Sequence, residues 1–231
     1  YGLSENTAAL SVNYPGVRRF GSVGKPLPGV RIEIDKAVEG SKEEDGEVLA
    51  YGENIMLGYH NLPDKTKESI NEEGGLRTGD LGHFDADGYL YITGRVKEQY
   101  KLENGKYVAP APLEESLKLS AYIEQVLLYG FNRPHNVALI VVAISVLEQY
   151  AEDLGISGSG ESMLNEPRIR QLFKEQLERY GKDFKSFEQP KNFALLSEEW
   201  TIDNGLLTPT LKLKREVVES QFKAQIEDLF S

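Results

Sequence analysis

Apolar and polar positions follow two different patterns along the chain, and the change falls near residue 97. Before it, short runs that alternate apolar with polar residues are separated by turns containing glycine; they lie at 30–34, 47–51 and 89–93. A period of two is typical of strands that bury one face. One short helix is predicted at 64–70, where Asp64 follows Pro63 and can cap the helix start. The first pattern therefore predicts a β-rich region.

From about residue 111 onward, apolar residues recur at helical spacing. Pro112 occupies a place typical of the first turn of a helix, and Leu113 and Leu117 follow on one face. The remaining elements are strands predicted at 124–131, 137–144 and 192–202 and helices predicted at 145–154, 166–181 and 215–230. A stretch of glycine and serine at 155–162 predicts a surface loop. The overall prediction is an α+β fold.

The longest strongly apolar run is VALIVVAISVL at 137–147. It is far shorter than the roughly 20 residues of a membrane-spanning helix, and its β-branched residues predict a buried strand. No charged and apolar leader precedes Tyr1, so we expect a piece of a longer protein. No glycine, proline or serine linker separates 1–96 from 97–231, which predicts two domains joined by a tight hinge near residue 97.

Composition narrows the function classes. The chain has 26 Lys plus Arg against 37 Asp plus Glu, a net charge of −11, which argues against a nucleic-acid partner and requires local cations for any anionic ligand. The absence of cysteine excludes a thiolate nucleophile and disulfides. His60, His83 and His135 lack metal-ligand spacing and are interpreted as structural or surface residues. Trp200 is interpreted as a packing residue.

Four short segments combine charged residues with hydroxyl groups or glycine: YGLSE at 1–5, RTGDL at 77–81, GRVKEQYKLENGKYVAP at 94–110 and TPTLKLKR at 208–215. In RTGDL, the glycine allows a close backbone turn, so that the carboxylate of Asp80 can enter a cleft and accept two hydrogen bonds from a diol. Arg95 carries a permanently charged, forked group suited to hydroxyl or phosphate oxygens. These properties favour a polar, anionic ligand.

Each segment also has a simpler interpretation. YGLSE could be a turn with a solvated Glu5, and Asp80 could cap a turn at a strand end. The segment 94–110 could be a solvated, lysine-rich loop. Lys214 could be a cation at a helix start, paired with Glu216 or Glu219. These simpler interpretations can explain any one segment, but they explain less well why all four occur together and in this order.

Together the segments resemble those of the adenylate-forming enzymes, most closely the long-chain fatty acyl-CoA synthetases, over nearly the whole chain. The resemblance implies that residues 1–96 are the β-rich distal part of the large AMP-binding domain. It implies that residues 97–231 are the small, mobile carboxyl-terminal domain. By resemblance, Tyr1 flanks adenine, Ser4 lies at the α-phosphate and Glu5 helps to hold Mg²⁺.

The same resemblance implies that Asp80 and Arg95 bind the ribose of ATP or AMP and that Lys97 is the hinge. Lys101 and Gly105 lie beyond the hinge, on the face that the small domain presents for the thioester step. There Lys101 is a candidate catalytic residue, and Gly105 leaves room for the pantetheine arm of CoA.

The family's catalytic lysine has Ser-Gly before it and an arginine three places after it. Arg215 sets this register, so Lys212 takes the place of the lysine, with Lys214 as the competing candidate. The chain departs from the family pattern at Thr210 and Leu211, which replace Ser-Gly and make the loop less flexible. Lys212 would bridge the substrate carboxylate and the α-phosphate.

The implied activity is an ATP-, Mg²⁺- and CoA-dependent, AMP-forming ligation of long-chain fatty acids, in the cytoplasm or at a membrane periphery. The chain alone is expected to be inactive, because the phosphate loop and acyl tunnel of the family would lie upstream of Tyr1. Two alternatives stay open: an adenylating enzyme that delivers its acyl group to a carrier protein, and a noncatalytic module that binds a nucleotide or a protein partner. Peripheral membrane contact would involve segments outside this sequence, and acyl-chain length and oligomeric state are not encoded in these residues.

Overall fold

The computed structural model describes residues 1–39, 44–156 and 161–231 of the chain. Internal contacts divide the chain into two compact units, Tyr1–Gln99 and Tyr100–Ser231, called the first and the second unit below. Both contain helices and strands, in agreement with the predicted α+β class. The functional boundary and hinge at residue 97 stay a prediction.

The described residues of the first unit form six strands and one α-helix: β1 (Ser11–Val12), β2 (Lys25–Pro26), β3 (Arg31–Asp35), β4 (Gly46–Tyr51), α1 (Pro63–Ser69), β5 (Leu76–Phe84) and β6 (Leu90–Arg95). Strands β3 to β6 make a four-stranded antiparallel sheet in sequence order. Its core consists of Leu10, Ile32, Val48, Ala50 and Leu90. Val48 and Ala50 lie two positions apart on β4, so both side chains point to the same face of the sheet.

The described residues of the second unit form the remaining elements: β7 (Tyr100–Lys101), β8 (Tyr107–Val108), α2 (Pro110–Leu117), β9 (Ile123–Tyr129), β10 (Asn136–Val142), α3 (Ile144–Asp153), α4 (Glu161–Leu164), α5 (Pro167–Gly181), β11 (Pro190–Leu196), α6 (Arg215–Gln221) and α7 (Lys223–Asp228). Its main sheet has the order β11-β10-β9, in which β10 is parallel to β11 and antiparallel to β9. Strands β7 and β8 form a separate hairpin.

Strand β10 organises the interior of the second unit. All seven of its residues are buried, and alternate residues enter two clusters, Ala138, Ile140 and Val142 on one side and Val137, Leu139 and Val141 on the other. Helices α2 to α5 pack on the first side, while α6, α7 and Trp200 pack on the second. A strand covered on both faces reads as a continuous apolar run, which explains the sequence at this point.

Several predicted elements end elsewhere than expected. The strand predicted at 192–202 ends at Leu196, because that residue pairs with Val141 near the end of β10 and no partner strand extends further. The helix predicted at 215–230 is interrupted at Phe222, whose dihedral angles (φ −99°, ψ 19°) are not helical. Val218 and Ile226, on either side of the break, are buried in the same cluster. Tertiary packing therefore overrides the helical periodicity there.

Two helix starts also differ from the predictions. Leu62, not Asp64, occupies the N-cap of α1, because Pro63 takes the first helical position and places Asp64 in the first turn. Helix α2 begins at Pro110 rather than at Pro112. Both prolines fit within its first turn, where N–H groups have no partner inside the helix. Of the loop predicted at 155–162, residues 157–160 lie outside the described ranges, and its end is wrong because α4 begins at Glu161.

None of the helices in the described ranges combines the length and apolar character needed to cross a bilayer.

A side-chain clamp holds the segment around Trp200 to the sheet. The amide of Gln125 on β9 donates to the carbonyl of Trp200 at 2.8 Å and accepts from its N–H at 2.8 Å. The indole is 1% exposed and packs near Phe222. Gln125 therefore satisfies backbone groups that no neighbouring strand reaches.

We expect Gln125→Ala to destabilise the second unit by about 1–3 kcal/mol, because Trp200 would keep buried backbone groups without partners. Trp200 is the only tryptophan in the chain, so its fluorescence during urea unfolding reports on this unit. The matched control is Glu124→Ala, an exposed neighbour on the same strand. Equal effects of the two substitutions would contradict the clamp.

Candidate functional site

A bulge in β5 is the local feature that presents Asp80. Thr78, Gly79 and Asp80 lie opposite the single residue Val48 of β4, so β5 bows out of the regular ladder. Gly79 has φ +72°, which disfavours other residues. The hydroxyl of Thr78 donates to the carbonyl of Val48 at 2.8 Å and accepts from the N–H of Asp80 at 3.1 Å. Each residue of the Thr-Gly-Asp sequence thus contributes to the geometry of the bulge.

The carboxylate of Asp80 joins two residues that are distant in sequence. Its Oδ2 accepts a hydrogen bond from the phenol of Tyr1 at 2.5 Å, and its Oδ1 accepts from Nε of Arg95 at 2.8 Å. Arg95 lies directly opposite Asp80 on β6. The Asp80 residue is 4% exposed, whereas the Arg95 side chain is 46% exposed, so the rest of the guanidinium faces outward.

Tyr1 is held as a hydrogen-bond donor. Burial raises the pKa of its phenol well above the ordinary value, and the hydrogen bond to Asp80 raises it further. A raised pKa favours the neutral form, so the phenol keeps its proton at every pH up to its ordinary pKa of about 10. We call Tyr1, Asp80 and Arg95 the Asp80 triad.

Glu5 belongs to a second hydrogen-bonded pair in the first unit. It lies in a 3₁₀ turn, Ser4–Asn6, and its Oε1 accepts from the phenol of Tyr59 at 2.8 Å. The backbone carbonyl of Glu5 also accepts from the N–H of Met56 at 2.8 Å. Burial, followed by the hydrogen bond to Glu5, raises the pKa of Tyr59. The carboxylate is therefore oriented by a neutral donor, and neighbouring Ser4 is exposed.

Sequence reasoning missed Tyr59, since nothing in the spacing connects it with a residue 54 positions away. A local signal exists in Gly58, which precedes it. Gly58 has φ +151°, and a Cβ there would lie 2.7 Å from Cγ2 of Thr66. The hydroxyl of Thr66 also accepts from the N–H of Tyr59 at 2.9 Å. The Gly-Tyr pair is thus fixed against α1.

The described ranges contain no group of three or more histidine, aspartate or glutamate side chains arranged to hold a metal ion. Mg²⁺ commonly binds through one or two carboxylates together with water and substrate phosphates. A single oriented carboxylate such as Glu5 fits that mode of binding. His83 is engaged elsewhere: its Nδ1 donates to Oδ1 of Asp45 at 2.7 Å, and its ring stacks on Tyr91.

The hinge and thioester candidates lie in short local structures. Lys97 is exposed in a 3₁₀ turn, Val96–Glu98, at the end of the first unit. In the second unit, Lys101 on β7 is exposed, with its ammonium 5.1 Å from the ring centre of Tyr107. Gly105 has φ +83° in the turn between β7 and β8, a conformation that favours glycine there.

Lys212 lies in a tight hairpin formed by residues 207–213, called the Lys212 hairpin below. Leu207 and Leu213 form a β-bridge at its base. The N–H of Thr208 donates to the carbonyl of Lys212 at 2.8 Å, and the hydroxyl of Thr208 accepts from the N–H of Lys212 at 3.0 Å. The side chain of Lys212 is exposed, whereas Lys214 is half-buried.

Leu211 occupies a left-handed conformation, with φ +60°, and is 70% exposed. The family pattern has glycine at this position, and glycine adopts that conformation without strain. The replacement therefore keeps a backbone shape that glycine would favour. Leucine does not itself favour this conformation, so the hydrogen bonds within the hairpin maintain it.

The structure brings some predicted residues together and keeps others in separate local groups. The Asp80 triad unites Tyr1, Asp80 and Arg95, and Glu5 pairs with Tyr59, all in the first unit. Lys101 and Gly105 share one hairpin of the second unit, and Lys212 lies in another. No role of these residues follows from their geometry alone.

Residues 97–182 match the family model described as the AMP-binding enzyme C-terminal domain. The whole chain is 36% identical to long-chain-fatty-acid–CoA ligase 1 of Homo sapiens and covers 34% of that protein. It is 32% identical to a putative fatty-acid–CoA ligase of Mycobacterium tuberculosis, fadD11, again over the whole chain and 39% of the relative. The chain thus spans little more than a third of the length of the curated relatives it matches.

Solved structures show the same fold. The adenylation domain of the carboxylate reductase from Mycobacterium chelonae aligns with the whole chain at a TM-score of 0.76 and 24% identity, over 34% of that chain. O-succinylbenzoate coenzyme A synthetase from Bacillus subtilis, solved with AMP, aligns with 94% of the chain at a TM-score of 0.66 and 22% identity, over 39% of that chain. Fold, family model and whole-chain similarity agree. The chain carries a match to the AMP-binding enzyme C-terminal domain, shares its fold with adenylate-forming enzymes, and is similar along its whole length to the long-chain fatty acid–CoA ligases.

Proposed function

We propose that this chain is part of an ATP- and CoA-dependent, AMP-forming ligase that acts on long-chain fatty acids. The fatty acid carboxylate attacks the α-phosphorus of ATP and pyrophosphate leaves. The thiol of CoA then attacks the acyl carbon, and AMP leaves as the thioester forms. The names of the relatives support long-chain fatty acids as the substrate class. A location in the cytoplasm, with or without peripheral contact with a membrane, fits such substrates.

The observation that carries this proposal is the Asp80 triad. Tyr1, Asp80 and Arg95 were each assigned to the nucleotide from separate segments, and their side chains form one hydrogen-bonded group. A carboxylate has about four acceptor positions, of which the two partners occupy one on each oxygen. Asp80 therefore retains acceptor capacity for the hydroxyl groups of a ribose. Arg95 adds outward N–H donors beside it.

The remaining groups of the first unit fit the phosphate end of the nucleotide. Glu5, oriented by Tyr59, would hold Mg²⁺ together with phosphate oxygens, and exposed Ser4 would donate to the α-phosphate. Bound Mg²⁺ would supply neutralisation of the charge that develops on the phosphates. In a chain with a net charge of −11, such local placement is what an anionic substrate requires.

Lys212 is the proposed catalytic lysine of the adenylation step. Its ammonium would offset the repulsion between the carboxylate of the fatty acid and the α-phosphate. The exposed position of Lys212 in a well-defined hairpin favours it over half-buried Lys214. For the thioester step, we propose that residues 97–231 move about Lys97 and that the hairpin of Lys101 and Gly105 then faces CoA.

Lys212→Ala in the full-length protein is expected to lower the rate of adenylate formation at least about 100-fold, since a charge at the reacting centre is lost. Thioester formation from supplied acyl-adenylate should be largely kept. Pyrophosphate exchange measures the first step, and thioester release from acyl-adenylate measures the second. Lys214→Ala is the matched control. The assignment is wrong if Lys214→Ala alone gives the selective loss.

Asp80→Asn is expected to raise the KM for ATP about 10-fold or more, because a charged hydrogen-bond acceptor is worth about 1.5–3 kcal/mol. Tyr1→Phe, which removes one donor to Asp80, should raise it less. Initial rates over a series of ATP concentrations test both. Asp87→Asn is the control, since Asp87 is 63% exposed and pairs with Arg19. An unchanged KM in Asp80→Asn would speak against a ribose ligand.

The 231-residue chain alone is expected to show no ligase turnover, because it spans little more than a third of its relatives' length. In the full-length protein, AMP release should depend on CoA. Release that requires a carrier protein instead would favour the carrier-dependent alternative. Calorimetric titration of the chain with AMP examines the noncatalytic alternative. Tight AMP binding by the chain, together with no adenylate formation by the full-length protein, would support it.

A further inference from the structure

A buried ion pair includes Arg215, which follows the end of the Lys212 hairpin by two residues. Glu114 on α2 is 7% exposed, and its Oε2 accepts from Nη2 of Arg215 at 2.6 Å. Its other oxygen accepts from the N–H of Leu128 at 2.6 Å. Nη1 of Arg215 in turn donates to the carbonyl of Leu128 at 3.1 Å. The two side chains and the backbone N–H and carbonyl of Leu128 thus form a closed ring of hydrogen bonds.

The position of this ring follows from the sheet. Strand β9 is an edge strand, and the N–H and carbonyl of Leu128 point away from β10 toward the open edge. Buried backbone groups at an edge need partners from elsewhere. Glu114 and Arg215 supply one acceptor and one donor, so α2, β9 and the first residue of α6 are tied together at one point.

Arg215 connects this point to the Lys212 hairpin. It is the first residue of α6 and follows Lys214, whose N–H donates to the carbonyl of Leu206 at 2.9 Å. Leu206 is 1% exposed and packs in the core. Both ends of the hairpin are therefore anchored, one by Leu206 in the core and the other by Arg215 in the ring.

The hairpin needs such anchoring because its own conformation is not the intrinsically preferred one. Leu211 is left-handed without being glycine, and its side chain is 70% exposed, so no core contact fixes it. If the base of the hairpin moved, Leu211 could relax and carry Lys212 with it. A buried charge pair is a stiff anchor, since separating it leaves an uncompensated charge in the interior.

We infer that Glu114 is a positioning residue for Lys212, acting through Arg215. The inference rests on the proposed role of Lys212 in adenylation. Glu114 does not contact the reacting groups. It determines where α6 begins, and hence where the ammonium of Lys212 lies, three residues before Arg215.

The test is Glu114→Gln in the full-length protein, compared with Glu115→Gln. Gln keeps an oxygen for the N–H of Leu128 but loses the charge that holds Arg215. Glu115, the next residue on α2, pairs with Lys118 at 2.5 Å and has a side chain that is 71% exposed, so its loss should matter little. We expect adenylate formation to fall at least about 10-fold in Glu114→Gln, with the KM for ATP within about twofold.

Thioester formation from supplied acyl-adenylate should change less than about twofold in Glu114→Gln, because that step does not use Lys212. Amide hydrogen exchange should also become faster in residues 207–214, while β10 stays protected. Equal losses in both half-reactions, or unchanged exchange in the hairpin, would overturn the inference. These readouts separate positioning from general destabilisation.

Arg215→Lys covers the case in which Glu114→Gln does not fold, as judged by Trp200 fluorescence. Lysine keeps the charge but has a single nitrogen, whereas Arg215 uses the two nitrogens of a planar fork to bind Glu114 and the carbonyl of Leu128. The same selective loss of adenylation is expected. If Lys212→Ala leaves adenylation unchanged, the proposed function fails. If Lys212→Ala abolishes it while folded Arg215→Lys keeps both half-reactions, only the positioning role fails.

Discussion

The cost of burying a carboxylate is the constraint on which both units depend. An ionised group removed from water must find charged or hydrogen-bonding partners, at a cost of several kcal/mol if it does not. Asp80 in the first unit and Glu114 in the second meet this demand in the same way, with hydrogen-bond donors at both oxygens. Each carboxylate also fixes an arginine, Arg95 or Arg215, at a defined place. The same carboxylate–arginine pairs thus stabilise the fold and place the residues for which we propose a function.

The first of these groups explains why a bulge interrupts an otherwise regular sheet. In a continuous β5, side chains would alternate strictly between the two faces of the sheet. The position of Asp80 along the strand would then alone determine its face. The extra residues opposite Val48 break that count, and the hydroxyl of Thr78 takes over hydrogen bonds that the ladder loses. Gly79 allows the reversal of φ that this requires. The order Thr, Gly, Asp therefore has a structural cause in the bulge, independent of the ribose-binding role proposed for Asp80.

Part of the fold and of the candidate site could be predicted from the sequence, through periodicity and local motifs. The buried run in β10 and the segments containing Asp80 and Lys212 were visible, because each depends on neighbouring residues. The pairing of Glu5 with Tyr59 and of Glu114 with Arg215 was not, since these partners lie 54 and 101 positions apart. The break at Phe222 was missed for the same reason, because packing on both sides of it outweighs helical spacing. Local signals predict elements, whereas long-range partners decide their ends and their charge pairs.

Arg215 shows how a residue that served only to align a motif gains a physical role. In the sequence it identified Lys212 by a spacing of three. In the structure the spacing has a cause: the arginine is the first helical residue of α6 and is held by a buried carboxylate, so the residues before it leave the core at a fixed point. A lysine one turn later would move with the helix and lose the exposed hairpin position. The spacing between lysine and arginine thus separates the anchored residue, Arg215, from the exposed residue that we propose for catalysis, Lys212.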